Sequence, residues 1–484
     1  MRGLLPAALS TLLFAGGSPE TSEVRTSLSA ETLRLPRMER LGLLGLSGTM
    51  DLGPGYLGPA LYGAARGMRG GFFTFGVEGG LRARPFAAVP LELEAGCFVG
   101  GGGGRSAPQG SGLMLRPHAG AAVLRGPIRF GVEISRVRFP SGGIDSTQAA
   151  LTLSIPQPRL WQPAEPWGPA FTGLVEWVGQ GMELEAMRLD HAAKVTSHQD
   201  GPQQPFEIAG LSLSHDLPGP GFRFLSVAGA ARGTSPGYAQ ALAGLGLRTP
   251  PRHAVGLEIR LGAGLGGGGD VDTGGGFLLS GEGSVTAGTA DWKASAGLGF
   301  VRAPGGQLHT RTVLIRISHH LATPRPAPGG EALVDVDLAD WRVGAGLVAY
   351  HSAPRLQGRP EGLQLVTLQA ARDLGRGFYL HTEAGSATGG GAGGYSAGLL
   401  GLGCETTPWK RQRLFTEAAL GAGGGGLIRS GGGLLASLRT GWRLDLPRGL
   451  GLDATVGRVR APHGDLDTTT FGMGVHLRFK TLER

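Results

Sequence analysis

A Gly-rich block returns three times along this chain: GCFVGGGGG at Gly96–Gly104, GAGLGGGG at Gly262–Gly269 and GAGGGG at Gly421–Gly426. Each block closes a run in which apolar and polar residues alternate. Each is followed by an Arg-X-Pro signature: Arg138 with Pro140, Arg302 with Pro304, and Arg460 with Pro462. Both landmarks recur after about 160 residues, and a fixed internal period constrains the fold before any local reading does. The repeating unit is a set of strands, which predicts a large β-barrel rather than a globular enzyme.

The alternation is explicit. Leu91, Leu93, Ala95 and Cys97 interleave with Glu92, Glu94 and Gly96. Phe73, Phe75, Val77 and Leu81 interleave with Thr74, Gly76, Glu78 and Arg82. Ile128, Phe130, Val132 and Ile134 interleave with Arg129, Gly131 and Glu133, and Val255, Leu257, Ile259 and Leu261 with Gly256, Glu258, Arg260 and Gly262. A period of two puts the two sets on opposite faces of a strand. Segments of ~10 such residues between turn residues mark a transmembrane barrel, apolar toward lipid and polar toward the lumen. A soluble sandwich or solenoid also alternates, but it needs a second layer or helices to cover so many apolar strands. No helical period is present to supply one.

Composition agrees. The chain has 484 residues, with 91 Gly and 32 Pro; hydrophobic residues are 41% and charged residues 17%, so apolar surface is ample despite the glycine. The net charge of +8 comes from Arg spread along the chain, not clustered on one face, so no nucleic-acid partner is expected. The N-terminus, Met1-Arg2-Gly3 followed by the mostly apolar Leu4–Ala15 and then Gly16-Gly17-Ser18, reads as a secretory signal peptide over residues 1–20. Cys97 and Cys404 stand at non-equivalent positions and read as strand residues.

Aligned on their shared motifs, the repeats occupy residues 21–155, 156–321 and 322–484, each with about eight strands. The second and third repeats open on Pro-rich links: Pro156, Pro158, Pro163, Pro166 and Pro169, then Pro324, Pro326 and Pro328. Pro cannot donate to a ladder, so these stretches are expected to end pairing. An even strand number returns each repeat to one side of the membrane. That side carries the turns near Pro85, Pro250 and Pro408, while the Gly-rich and Arg-X-Pro turns fall on the other. The fold class is therefore all-β, a transmembrane antiparallel barrel of three internal repeats. Two closures are open: one ring of about 24 strands, or three tandem eight-stranded barrels. Inward glycines such as Gly76, Gly131, Gly256, Gly297, Gly472 and Gly474 would fill a narrow interior badly, which favours the single ring.

The last strand carries Phe471, Met473, Val475, Leu477 and Phe479 on one face. It resembles the closing strand of Gram-negative outer-membrane proteins, where a Gly, two apolar positions and a final aromatic are read by the assembly machinery; Gly474, Leu477 and Phe479 match. The tail Lys480–Arg484 departs from the pattern, in which the aromatic is terminal. The resemblance is to an architectural class and covers nearly the whole mature chain. It implies an outer-membrane location, lipid and the barrel-assembly machinery as partners, and a possible envelope or secretion complex.

Few residues suggest chemistry. The polar-face charges Glu78, Arg82, Glu92, Glu94, Arg129, Glu133, Glu258, Arg260 and Glu417 are candidate lumen-lining residues. Glu92, Glu258 and Glu417 read as equivalent, an acid at one height in each repeat; this makes either a selecting ring or an ion pair that only stabilises. His319-His320, Asp190-His191, and His463 with Asp465 have no nucleophile at a motif spacing, so no catalytic residue is assigned and an enzyme is not expected. The Gly runs lack the Lys-Ser/Thr of a phosphate loop, and two distant Cys do not supply a zinc site; no cofactor or metal is expected. The sequence favours a channel or the outer-membrane part of an export or envelope complex. The alternative is a non-conducting structural or docking barrel that presents loops.

Overall fold

The computed structural model describes residues 19–86, 89–104, 107–165, 170–191, 201–249, 254–334 and 336–484. The first eighteen residues of the expected signal peptide, Pro166, Pro169 and Pro250 lie outside the described residues. Twenty-four antiparallel strands account for nearly all regular structure, with no α-helix among the described residues. The first eight are β1 (Glu20–Arg34), β2 (Arg40–Leu52), β3 (Gly55–Arg66), β4 (Phe73–Ala83), β5 (Leu91–Gly103), β6 (Met114–Arg125), β7 (Ile128–Arg138) and β8 (Asp145–Pro163). The next eight are β9 (Val175–His191), β10 (Phe206–Asp216), β11 (Gly221–Arg232), β12 (Ala239–Arg248), β13 (Val255–Gly267), β14 (Phe277–Gly288), β15 (Trp292–Arg302) and β16 (His309–Pro326). The last eight are β17 (Asp337–Ala353), β18 (Glu361–Gly375), β19 (Phe378–Gly389), β20 (Ser396–Glu405), β21 (Gln412–Gly424), β22 (Leu434–Asp445), β23 (Leu450–Arg460) and β24 (Asp467–Glu483).

The alternation in sequence becomes two faces in space. Val132, Leu257 and Ile315 point outward and are 54%, 65% and 63% exposed, whereas Glu258 is 5% and Arg260 2% exposed. An apolar outside and a charged inside invert the soluble pattern and suit a strand between lipid and a polar interior. Four exposed aromatics, Phe86, Trp292, Phe378 and Trp409, stand at or beside the turns after β4, β14, β18 and β20.

Pairing runs in circuits of eight. β9 to β16 form a closed barrel, with β16 returning to β9 over seventeen residue pairs from Thr310↔His191 to Pro326↔Val175. β1 pairs with β8 from Glu20↔Trp161 to Glu31↔Ala150, and β17 with β24 from Asp337↔Glu483 to Tyr350↔Thr470. A two-residue bridge, Phe479↔Pro163 and Lys480↔Gln162, joins β24 to β8. A single ring of about 24 strands would instead pair β8 with β9, β16 with β17 and β24 with β1. The expectation of that ring is therefore corrected: each run of eight returns to its own first strand.

Gly76, Gly131, Gly256, Gly297, Gly472 and Gly474 face backbone and small side chains, but other inward glycines lie beneath large rings. The Tyr62 ring covers Gly45, the Tyr56 hydroxyl stands over Gly80 and Gly96, Phe222 and Phe224 cross Gly246 and Gly244, and Tyr379 and Phe415 cover Gly403 and Gly441. A narrow barrel is filled when large residues on one strand lie across small ones on the next. These seven glycines are the room that the tyrosine and phenylalanine rings need.

The Pro-rich links also differ from expectation. Pro156 and Pro158 lie within β8, opposite Arg25 and Glu23 of β1; Pro324 and Pro326 lie within β16, opposite Trp177 and Val175 of β9. β7 pairs with β8 only as far as Ser154, and β15 with β16 only as far as His319. Beyond those points Pro156 and Pro158 pair with β1 alone, and Pro324 and Pro326 with β9 alone, and a residue without an N–H is tolerated on the free side.

The Gly-rich turns bring the circuits together. The backbone of Gly71 in the first lies against Gly268 in the second, Gly237 in the second against Gly425 in the third, and Gly394 in the third against Gly104 in the first. All six have φ between 84° and 150°, a region glycine enters without steric cost. The contacts are head-to-tail and close after three steps, as a heterologous ring does.

The tail has a structural part to play. β24 continues past Phe479 to Glu483, Phe479 meets Trp161 edge-on at 6.0 Å, and the Arg484 and Ala322 backbones exchange hydrogen bonds of 3.0 and 3.1 Å. The final residues thus fasten the third circuit to the first and second.

Candidate functional site

The interior of each circuit has two layers. Toward the Gly-rich turns it is apolar and repeated in all three: Phe72, Tyr238 and Tyr395; Met114, Leu278 and Leu435; Val137, Val301 and Val459. The Arg-X-Pro turns close this layer. Phe139, Ala303 and Ala461 are the buried middle residues, and each donates its N–H to the buried residue five positions on, at 2.9, 2.9 and 2.7 Å. Arg138, Arg302 and Arg460 point outward at the strand ends.

Below the apolar layer lie charge networks. In the first circuit Arg25 pairs with Glu92 at 2.5 Å and Glu23 at 2.9 Å, and Arg82 bridges Asp51 at 2.6 Å and Glu94 at 2.7 Å. Arg116 reaches Glu31 at 2.9 Å and Glu133 at 3.1 Å, while Arg129 meets Glu23 at 2.7 Å and Arg84 meets Glu92 at 3.3 Å. In the second, Arg260 pairs with Glu258 at 2.7 Å and Glu183 at 2.8 Å, and Arg316 with Glu282 at 2.6 Å, Glu258 at 3.2 Å and Glu185 at 3.3 Å. In the third, Arg439 pairs with Glu383 and Glu417, and Arg443 with Glu405 at 2.6 Å and Asp453 at 2.7 Å. Buried charges persist only when each is paired and hydrogen-bonded. Aromatic faces complete the coordination: the Arg82 guanidinium lies 3.6 Å from the Tyr56 ring centre and Arg443 4.4 Å from that of Phe415.

These networks leave little room. Cavities bordered by these networks measure about 30, 20 and 20 Å³ in the three circuits, space for a water or two and not for a solute.

All nine charges singled out in the sequence lie inside the circuits: Glu78, Arg82, Glu92, Glu94, Arg129 and Glu133 in the first, Glu258 and Arg260 in the second, Glu417 in the third. The equivalence of Glu92, Glu258 and Glu417 is corrected by register. β5, β13 and β21 each have 13 residues, and the three acids stand second, fourth and sixth in them. At ~3.3 Å per residue they step along the axis rather than form a level set. The Gly-rich blocks differ in length, so their leading glycines Gly96, Gly262 and Gly421 stand at different heights in the three strands.

Arg25, Arg116, Arg316, Arg439 and Arg443, missed in the sequence, carry the networks. Their signal was available, since Arg116 and Arg316 stand on the polar face of alternating strands. The histidine candidates do not converge on a catalytic group. His319 stacks on Trp292 at 4.5 Å, His191 on Phe206 at 5.4 Å, and Asp465 pairs with Arg429 at 3.0 Å. The cysteines are free.

A continuous apolar exterior around hydrogen-bonded circuits decides the class, because only a membrane covers such a surface. The architecture is that of an outer-membrane β-barrel protein. Comparison with known proteins adds no family: no family model matches, and no curated protein matches. Among solved structures, Acinetobacter baumannii OccAB3 aligns at 12% identity over 96% of this chain and 100% of its own, with a TM-score of 0.21. Pseudomonas aeruginosa OpdQ aligns at 9% identity over 96% and 98%, with a TM-score of 0.23, and the outer membrane protein OpdK of the same organism at 9% over 95% and 99%, with a TM-score of 0.23. TM-scores this low carry no argument for a shared fold or activity.

Proposed function

We propose that this chain is a non-conducting outer-membrane scaffold in which three separately closed eight-stranded barrels, covalently joined, hold a cluster of turns at the cell surface. The observation that carries this reading is the filled interior of every circuit: an apolar layer over an arginine–carboxylate network, around cavities of about 30, 20 and 20 Å³. Eight strands enclose a space that side chains just fill, whereas rings of 16–18 leave an aqueous channel. Conduction would require the Arg116, Arg316 and Arg439 networks to part.

The orientation follows from turn length. In the first circuit the turns on the Gly-rich side span residues 35–39, 67–72, 104–113 and 139–144, and those on the other side 53–54, 84–90 and 126–127. Outer-membrane barrels keep the short turns in the periplasm, which puts the Gly-rich contacts outside. The exposed aliphatic face meets lipid. The β24 strand, with Gly474, Leu477 and Phe479, is the element offered to the assembly machinery, and no enzymatic step is assigned. Purified protein in planar bilayers is expected to give no stable conductance steps at moderate voltage. Reproducible steps abolished by an interior substitution such as Arg316→Met would replace this reading with a channel.

A further inference from the structure

Glu78, Glu94 and His118 meet inside the first circuit, on the neighbouring strands β4, β5 and β6, with one ligand-capable atom from each lying within 4.8 Å of the others. His118 Nε2 is 3.6 Å from Glu94 Oε1 and 4.0 Å from Glu78 Oε1. An ion ~2.1 Å from two ligands holds them at most ~4.2 Å apart, so the cluster needs only a small contraction. The imidazole is held at both nitrogens: its Nδ1 lies 3.4 Å from the Arg116 carbonyl oxygen and its Nε2 3.0 Å from the Tyr56 hydroxyl, which also donates to Glu94. A ligating Nε2 would exchange that hydroxyl for the ion while Nδ1 keeps its carbonyl partner. The His118 side chain is fully buried and that of Glu78 is 8% exposed.

The repeats show that this position departs from the pattern. Cross-strand pairing aligns Gly96↔His118 of the first circuit with Arg260↔Glu282 of the second and Glu417↔Arg439 of the third. The second and third circuits place a guanidinium–carboxylate pair there. The first places glycine and histidine, and the guanidinium is gone. Among the described residues Glu78 has Tyr62 and His118 as partners and no guanidinium within ion-pair distance. The second circuit also has more carboxylates than guanidiniums, but each of Glu183, Glu185, Glu258 and Glu282 touches Arg260 or Arg316. In the first circuit Arg25, Arg82, Arg84 and Arg129 share Glu23, Asp51, Glu92 and Glu94, and Glu78 joins that network only through His118. Glu78 and Glu94 also border the cavity of about 30 Å³, which has room for a water ligand.

We propose that Glu78, Glu94 and His118 bind one divalent transition-metal ion of the zinc class, stapling β4, β5 and β6 inside the first barrel. The donor set, one imidazole and two carboxylates with an open position for water, suits Zn²⁺ and Co²⁺. The ion would stand where the other two circuits place a guanidinium, beside a Glu78 that has none.

The test uses tag-free full-length protein in detergent, stripped with a chelator, reloaded with ZnCl₂ or CoCl₂ and passed through a desalting column. About one ion per chain is expected to remain, and Glu78→Gln and His118→Ala are expected to weaken Zn²⁺ binding by roughly tenfold or more. His381→Ala, at a histidine inside the third circuit, should leave it unchanged. X-ray absorption of the Zn²⁺-loaded wild type should show one imidazole among oxygen ligands, a readout that does not depend on the variants folding. No retained ion, retention unaffected by both first-circuit variants, or a spectrum without imidazole would overturn the proposal.

Discussion

At the residue scale, two faces of one strand obey different rules. Leu257 is outward and 65% exposed. Leu257→Ala should therefore barely move stability in detergent or bilayer, while Leu257→Arg should cost ~2–4 kcal/mol where the strand crosses the midplane. Urea unfolding in lipid bilayers checks the pair, and equal costs would mean that Leu257 does not face lipid. Inside, Arg316 touches four carboxylates. Arg316→Met removes the partner and leaves the charges buried, which costs about 3–5 kcal/mol. A loss below about 1 kcal/mol would show that water already solvates that network. The alternation made both faces legible in the sequence, down to Glu258, Arg260 and Glu133. It could not show which charges touch, because partners such as Arg316 and Glu185 are 131 positions apart. Nor could it show that glycines such as Gly45 and Gly403 are spaces under tyrosine rings, since that depends on residues facing across the bore.

At the element scale, about eight strands in each repeat were readable, because turn glycines and prolines punctuate a two-residue period. The ends were not. β8, β16 and β24 run on through residues that look like linker or tail, because a neighbouring first strand waits to pair with them. Deleting Lys480–Arg484 removes the pairing of Lys480, Thr481, Leu482 and Glu483 with β17 and the Arg484 bonds to Ala322. In the sequence this tail lies outside the closing-strand pattern; the structure predicts a clear drop in heat-resistant folded protein in membranes on its removal, measured by band shift on semi-native gels. No drop would mean that the tail pairs without contributing. Gly237 makes a second test. A Cβ there would stand 2.6 Å from the Gly425 nitrogen of the third circuit. Gly237→Leu should destabilise the full chain by more than it destabilises a fragment holding only β9–β16, where just the left-handed backbone penalty of ~1–2 kcal/mol remains. Equal losses in thermal melts of the two would remove the inter-circuit contact from the account.

At the scale of the whole molecule, the internal period and the β-barrel class were legible from the Gly-rich blocks and the Arg-X-Pro turns, and the closure was not. Closure depends on whether a strand's partner lies eight strands back or at the far end of the chain, and both choices satisfy the same alternation. The deciding chemistry is volumetric: Tyr56, Tyr62, Phe222, Phe224 and the buried arginines have the bulk to fill three narrow interiors, and they would line one wide ring without meeting. Separate closure is therefore the central claim, and expression of Thr323–Arg484 alone tests it most directly. The account predicts that this third, refolded in detergent, gives a heat-modifiable band and β-sheet circular dichroism, because β17 and β24 pair with each other and leave no open edge. A fragment that stays unfolded or aggregates, while the full chain folds under the same conditions, would contradict it.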